Sequence, residues 1–257
     1  MRIISLQSGS NGNCVYVESR GVRLMFDAGI SGKRASERLA DVGEDINQVD
    51  ALLISHDHAD HVSGLGIYQR KFGLPVYVSS LTLDTARRKR SLGQLGEIRH
   101  FKPGETVNIG HVSIETIPTP HDAADGSAFV VDDGQRRLGI FTDLGHVFDG
   151  LIEVVSTLDA VLLESNYDAN MLATSSYPAF LKERISGPQG HISNTESARV
   201  LLAAAGVSGK IRWACLGHLS HENNTPQAAM AEHKSILGDT MGLYIASRFG
   251  PTEFMQV

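Results

Sequence analysis

Cysteine is scarce in this chain, with only Cys14 and Cys215 among 257 residues. Each lies in an apolar segment, so a disulfide framework is not indicated and both are expected to be small buried hydrophobes. Long apolar runs are missing as well. None approaches the roughly 18 residues of a membrane span, and the chain opens on the strand-like Arg2-Ile3-Ile4-Ser5-Leu6 instead of a signal peptide. The expectation is a cytoplasmic protein with no membrane partner. Positive charge is in short supply too, the formal net charge being −6. That argues against a broad basic surface gripping duplex nucleic acid through many phosphates. There is no internal repeat or low-complexity linker, and one domain over 1–257 is expected.

What stands out is Ile54-Ser55-His56-Asp57-His58-Ala59-Asp60-His61, where an apolar strand runs into three histidines and two aspartates. Imidazoles and carboxylates crowded at a strand end desolvate or repel one another unless a cation sits among them. In extended chain, residues two apart face the same way, so His56 and His58 can grip one ion together. Asp60 and His61 follow where the chain must turn, and point elsewhere. Two adjacent divalent ions are therefore expected, with nitrogen ligands favoured at one and mixed oxygen and nitrogen ligands at the other. A solvated, histidine-rich loop is the bland alternative.

Strands are expected at Arg2–Leu6, Cys14–Glu18, Val22–Phe26, Ala51–Ile54, Glu105–Ile109 and Val112–Ile117, with a hairpin of Ser127–Val131 and Arg137–Phe141 about Asp132-Asp133-Gly134. Apolar runs at Leu158–Leu163 and Ile211–Leu216 read as buried strands. Helical spacing appears over Ser31–Val42, His61–Phe72, Leu81–Leu92, Tyr177–Ile185, the stretch after Asn194, and Pro226–Leu237. Between the first two strands, Ser8-Gly9-Ser10-Asn11-Gly12-Asn13 is either a plain hairpin loop or one whose amides and hydroxyls hold a phosphate. The basic run Arg87-Arg88-Lys89-Arg90 is either a solvated helix face or a contact to a substrate backbone. His100, His111 and His233 sit in polar surroundings and are expected to be solvated.

H-x-H-x-D-H after a strand resembles the signature of the metallo-β-lactamase superfamily. The likeness narrows, through S-G-S-x-G-N-C from Ser8, E-S-N-x-D from Glu164 and H-L-S-x-E-N-N from His218, to the YycJ/WalJ-type metallohydrolases, with the phosphonate-pathway cyclic phosphodiesterase more distant. The resemblance implies a four-layer αββα sandwich of the α/β class with the site at one edge of two sheets. It also implies His56, His58 and His121 on one ion, Asp60, His61 and His218 on the other, and Asp143 bridging them. An N-cap for the following helix is the alternative role for Asp143. Asp60 and His191 are the candidate catalytic residues, His191 by offering a proton to the leaving group, although His191 and His218 occupy similar frames. Asp27 and His146 are expected to support the site. Ser8, Ser10, Asn11, Asn166, Asn223 and Asn224 are candidate substrate contacts, since neutral amides and hydroxyls bind phosphate oxygens without adding charge.

Two ions of this kind would lower the pKa of a shared water or hydroxide and neutralise charge on the attacked group. The bond cleaved is less firmly indicated than hydrolysis itself. H-x-H-x-D-H argues against the flavodiiron oxidoreductases, and the stretch from Asp143 to His218 is too short for the inserted domain of the large RNA-processing branch. The resemblance implies a phosphodiesterase acting as a 5′-to-3′ exonuclease on DNA ends. A small-molecule hydrolase of a cyclic phosphodiester, thioester or lactone is the alternative, and a non-catalytic metal-binding adaptor a third class. Zinc, manganese and iron all suit the ligand set, and a homodimer is compatible with the sequence.

Overall fold

The computed structural model describes Met1–Val257. Its first half runs β1 (Arg2–Gln7), β2 (Cys14–Ser19), β3 (Val22–Phe26), α1 (Gly32–Asp41), β4 (Ala51–Leu53), α2 (Ala59–Val62), α3 (Leu65–Phe72), β5 (Val76–Tyr77), α4 (Ser80–Lys89) and β6 (Ile98–Arg99). The second half runs β7 (Thr106–Ile109), β8 (Val112–Pro118), β9 (Ser127–Asp132), β10 (Arg137–Phe141), α5 (Leu151–Ser156), β11 (Ala160–Glu164), α6 (Ala169–Thr174) and α7 (Ala179–Ser186). It closes with α8 (Asn194–Ser208), β12 (Trp213–Gly217), α9 (Pro226–Leu237), β13 (Gly242–Ile245) and β14 (Met255–Gln256). Local chemistry sets several ends. Ser31 accepts from the Arg34 amide to start α1, Ser193 and Glu196 form a capping box on α8, and Thr225 caps α9 with Pro226 in its first turn.

The strands form two sheets, ordered β14-β1-β2-β3-β4-β5-β6 and β13-β12-β11-β10-β9-β8-β7. Each sheet is antiparallel at one end and parallel at the other, β3 to β6 in the first and β10 to β13 in the second. Parallel neighbours need crossover connections, and the helices supply them. Three apolar layers result. Phe26, Leu53, Phe129, Val131, Leu162 and Trp213 fill the space between the sheets. Tyr16, Met25 and Leu52 pack under Leu39, Tyr68 and Leu83 of the helices on one side. Val130, Phe141 and Val161 pack under Val155, Leu201 and Ala204 on the other. This is the expected αββα sandwich, and strands buried on both faces explain why β11 and β12 read as unbroken apolar runs.

Two local expectations are corrected. The helix expected over His61–Phe72 is two helices, because Gly64 packs its backbone against the turn after β3. Its amide donates to Ala28 O at 2.7 Å, and a Cβ there would stand 2.5 Å from Ile30 O. His233 is buried, not solvated: it shares the inner face of α9 with Ala229 and Leu237. Its Nε2 lies 3.1 Å from Ser197 Oγ on α8.

Candidate metal centre

The C-terminal ends of β4, β8, β10, β11 and β12 lead into one edge of the sandwich and deliver His56–His61, His121, Asp143, Glu164 and His218 respectively. Four sets of side chains there bring their donor atoms within 4.8 Å of one another: His56, His58 and His121; His56, His61 and Asp143; Asp60, His61 and His218; and Asp143, Glu164, His191 and His218. The seven residues expected as ligands are thus together, although up to 162 positions separate them in sequence, His56 from His218.

Hydrogen bonds to the back of each ring decide which nitrogen faces inward. His56 Nδ1 lies 2.9 Å from Ser55 Oγ, His58 Nε2 lies 3.2 Å from Asp122 O, and His121 Nδ1 lies 2.8 Å from Gly190 O. That leaves His56 Nε2, His58 Nδ1 and His121 Nε2 free to converge, the last two 3.3 Å apart. On the other side, Asp27 Oδ2 lies 2.7 Å from His61 Nδ1 and turns Nε2 towards Asp60 and Asp143. The Asp143 carboxylate spans the two groups, with Oδ1 3.6 Å from His121 Nε2 and Oδ2 3.1 Å from His61 Nε2. It is not a helix cap, since Gly150 occupies that position on α5.

Backbone strain collects at the same place. Asp27, Asp143 and His218 adopt φ values of 62°, 57° and 54°, a left-handed conformation uncommon for side chains other than glycine. Close packing holds the first turn in position: a Cβ at Gly29 would stand 1.6 Å from Asp60 O, so only glycine lets the turn after β3 reach α2.

The electrostatics match. Burial disfavours charge on His56, and the neighbouring His61 ring adds to that, holding its pKa well below the ordinary value. Burial also opposes charge on His218, but the Asp143 carboxylate and contacts to Asp60 and Glu164 win and raise it to about 10. Asp143 would be driven up by burial, yet the His218 and His61 rings hold it well below the carboxylate range. A mixed imidazole and carboxylate set of this kind fits divalent cations. His56 Nε2 fits them specifically: it is buried without a hydrogen-bond partner, a costly state for a lone pair unless a cation accepts it.

A cleft of about 220 Å³ opens over this cluster, lined by Ser10, Asn166, Tyr177, Arg184, His191 and Ser220 among others. Ser10 and Asn166 therefore face it. Asn166 also donates to His218 O at 2.8 Å. Ser8 and Asn223 are buried behind the wall instead, which corrects their expected role, while Asn224 lines the adjoining cavity and not this cleft. Ser8 Oγ accepts from the His218 amide at 2.8 Å, and the Asn224 amide is spent on Ser165 O and Asn194 Oδ1. Asn11 is exposed and donates to Arg248 O. His146 is likewise exposed and bonds Pro188 O, away from the ligands. The basic run divides: Lys89 pairs with buried Asp57 at 2.6 Å and Arg90 bonds Ser63, while Arg87 and Arg88 face solvent.

Three further residues hold the site that spacing did not single out. Glu164 is fully buried, with Oε1 2.7 Å from His191 Nδ1 and 3.3 Å from His218 Nδ1. Its signal was a carboxylate ending an otherwise apolar strand. Asn13 Nδ2 lies 3.2 Å from Asp60 Oδ2. Asp122 Oδ2 pairs with Arg184 at 2.7 Å while its carbonyl meets His58.

Residues 8–177 match the family described as the metallo-beta-lactamase superfamily. The chain belongs to that superfamily. Within it, the chain is 34% identical over 226 residues to exodeoxyribonuclease WalJ of Streptococcus pneumoniae serotype 2, covering 87% of this chain and 83% of that protein. It is 32% identical over 232 residues to exodeoxyribonuclease YycJ of Bacillus anthracis, covering 90% and 87%. The expected YycJ/WalJ resemblance is therefore met across most of the chain. Among solved structures, the metallo-beta-lactamase fold protein YhfI of Bacillus subtilis superposes with a TM-score of 0.74 at 18% identity, covering 98% of both chains, a likeness of fold alone.

Proposed function

We propose that this chain is a dinuclear phosphodiesterase that degrades DNA from an end, in the 5′-to-3′ direction, and that it works in the cytoplasm. It is an enzyme, a metal-dependent hydrolase of the nuclease and phosphodiesterase kind. One observation carries the finer reading: the Asp143 carboxylate lies between the two groups of inward-facing donors, Oδ1 3.6 Å from His121 Nε2 and Oδ2 3.1 Å from His61 Nε2, with His191 lining the same cleft. Kinship with two exodeoxyribonucleases supports DNA as substrate. No helix is long and apolar enough to cross a membrane.

His56 Nε2, His58 Nδ1 and His121 Nε2 would hold one ion, Asp60, His61 and His218 the other, with Asp143 shared. When bound, such a pair supplies Lewis acidity and an activated water. The chain's own groups do the rest. Ser10 and Asn166 line the cleft and offer neutral hydrogen bonds to phosphate oxygens. His191, its Nδ1 committed to Glu164, keeps Nε2 available to protonate the leaving oxygen.

Incubation of Mn²⁺-loaded protein with 5′-labelled DNA tests this: labelled mononucleotide should appear first and progressively. His191→Gln should slow that release about 10²- to 10⁴-fold without changing metal content. Inertness on DNA with turnover of bis-p-nitrophenyl phosphate or a thioester would replace the reading with a small-molecule hydrolase. Inertness on all of these with metal bound would leave a metal-binding adaptor.

A further inference from the structure

Beside the metal cleft lies a larger cavity of about 410 Å³, and Ser220 lines both. Its walls are the segment from after β12 into the first turn of α9, carrying His221, Asn224 and Gln227, and the segment from the end of β13 onward, carrying Ile245, Arg248 and Phe249. The loop after β1 ties these walls to the metal side. The Ser8 amide donates to Ser247 O at 3.0 Å, and Asn11 Nδ2 donates to Arg248 O at 2.9 Å.

Two side chains here serve no evident packing purpose. Phe249 is 73% exposed and stands edge-on to His221, with ring centres 6.5 Å apart. An aromatic ring left in solvent at a cavity rim forgoes the gain of burial and marks a contact surface. Arg248 holds its guanidinium carbon 5.8 Å from the Phe249 ring centre. Its Nε is buried with no hydrogen-bond partner, and its Nη1 reaches Leu219 O only at a long 3.4 Å.

We propose that this cavity takes the nucleobase of the nucleotide next to the scissile phosphodiester, stacked on Phe249, with Arg248 against the flanking phosphate. The inference rests on the nuclease reading of the adjoining cleft. Its volume lies within the range of about 300 to 1,000 Å³ usual for ligand pockets. A π-face suits an enzyme that must step through any sequence, because every base can stack. A chain of net charge −6 also gains little grip from phosphates spread over its surface, so stacking supplies what charge does not.

The test uses Mn²⁺-loaded protein and a 3′-fluorescein single strand with phosphorothioate links near its 5′ end to slow cleavage. Fluorescence anisotropy gives Kd for the intact strand and for strands carrying one abasic site moved stepwise from that end. Wild type should lose about 5- to 150-fold in affinity when the base is absent at one position, the usual worth of one stacked base. Phe249→Ala should bind the intact strand weaker by a similar factor and ignore the abasic site, and Phe249→Trp should restore both. Equal Kd for wild type and Phe249→Ala, or an abasic penalty that survives in Phe249→Ala, overturns the inference. Cleavage of ordinary DNA is scored separately. Cleavage with no Phe249-dependent base effect removes the subsite alone, whereas a Phe249-dependent base effect without cleavage keeps the subsite and removes the nuclease reading.

Discussion

Glu164 Oε1 lies 2.7 Å from Nδ1 of His191, inside a wall that excludes solvent from the carboxylate. Burial would raise this carboxyl, but the His191 ring and its hydrogen bond dominate and bring it down to about 2. The carboxylate therefore stays charged at working pH and fixes the ring that faces the cleft.

Replacing it by Glu164→Gln preserves shape and removes the charge. Turnover should fall about 10- to 100-fold, the usual cost of losing such a support. Measuring kcat alongside metal content checks this; unchanged turnover would reduce Glu164 to a packing group.

Asp27 serves His61 in the same way, at 2.7 Å. Asparagine tolerates the left-handed backbone that Asp27 adopts, so Asp27→Asn is a fair substitution. Metal affinity, measured by competition with a chromogenic chelator, should drop about 10- to 100-fold while the fold stays intact by circular dichroism. Undiminished affinity would refute the orienting role.

Metal uptake should release protons. In the metal-free chain, His218 titrates at about 10 and His61 well above the ordinary 6.5, so both rings carry protons at pH 7 that must leave before they ligate. Apparent affinity should thus rise with pH, about tenfold per unit for each proton displaced. Zinc titrations in buffers of differing ionisation enthalpy count those protons. A count of zero at pH 7 contradicts the charge state. The sign is opposite for the metal-free fold: what His218 contributes is complete below 6.5 and fades as pH climbs towards 10.

Acid stability has a separate source far from the metals. Burial would raise Asp159, but the Arg137 amide, the Arg136 side chain and Lys210 outweigh it and hold the carboxyl below its ordinary 3.8. A lowered carboxyl contributes above the unfolded value and loses that contribution as pH falls through the folded one. Asp159→Asn should therefore cost about 2 kcal/mol near neutrality and flatten the loss of stability below pH 3.8. Chemical denaturation at pH 7 and pH 3 measures the difference.

By itself the sequence determined the elements that rest on local chemistry. Apolar runs became β11 and β12, turn residues placed the β9–β10 hairpin, and the spacing of His56 and His58 in extended chain, with Asp60 and His61 where the chain turns, announced two ligand directions. Those features depend on neighbours within a few positions, where backbone geometry is already fixed. The tertiary structure alone decided what depends on distant segments meeting. It broke the expected helix at Gly64 because the turn after β3 packs there. It drew His233 inward because α8 lies against that face of α9. It assigned Asn223 to the wall and Asn166 to the cleft, which no spacing rule separates. Glu164 became a support for His191 and His218 only once parallel pairing of β11 with β12 set their ends side by side. A side chain's chemistry is written in its residue, but burial and partners come from contacts across the chain, and those exist only after the sheets have packed.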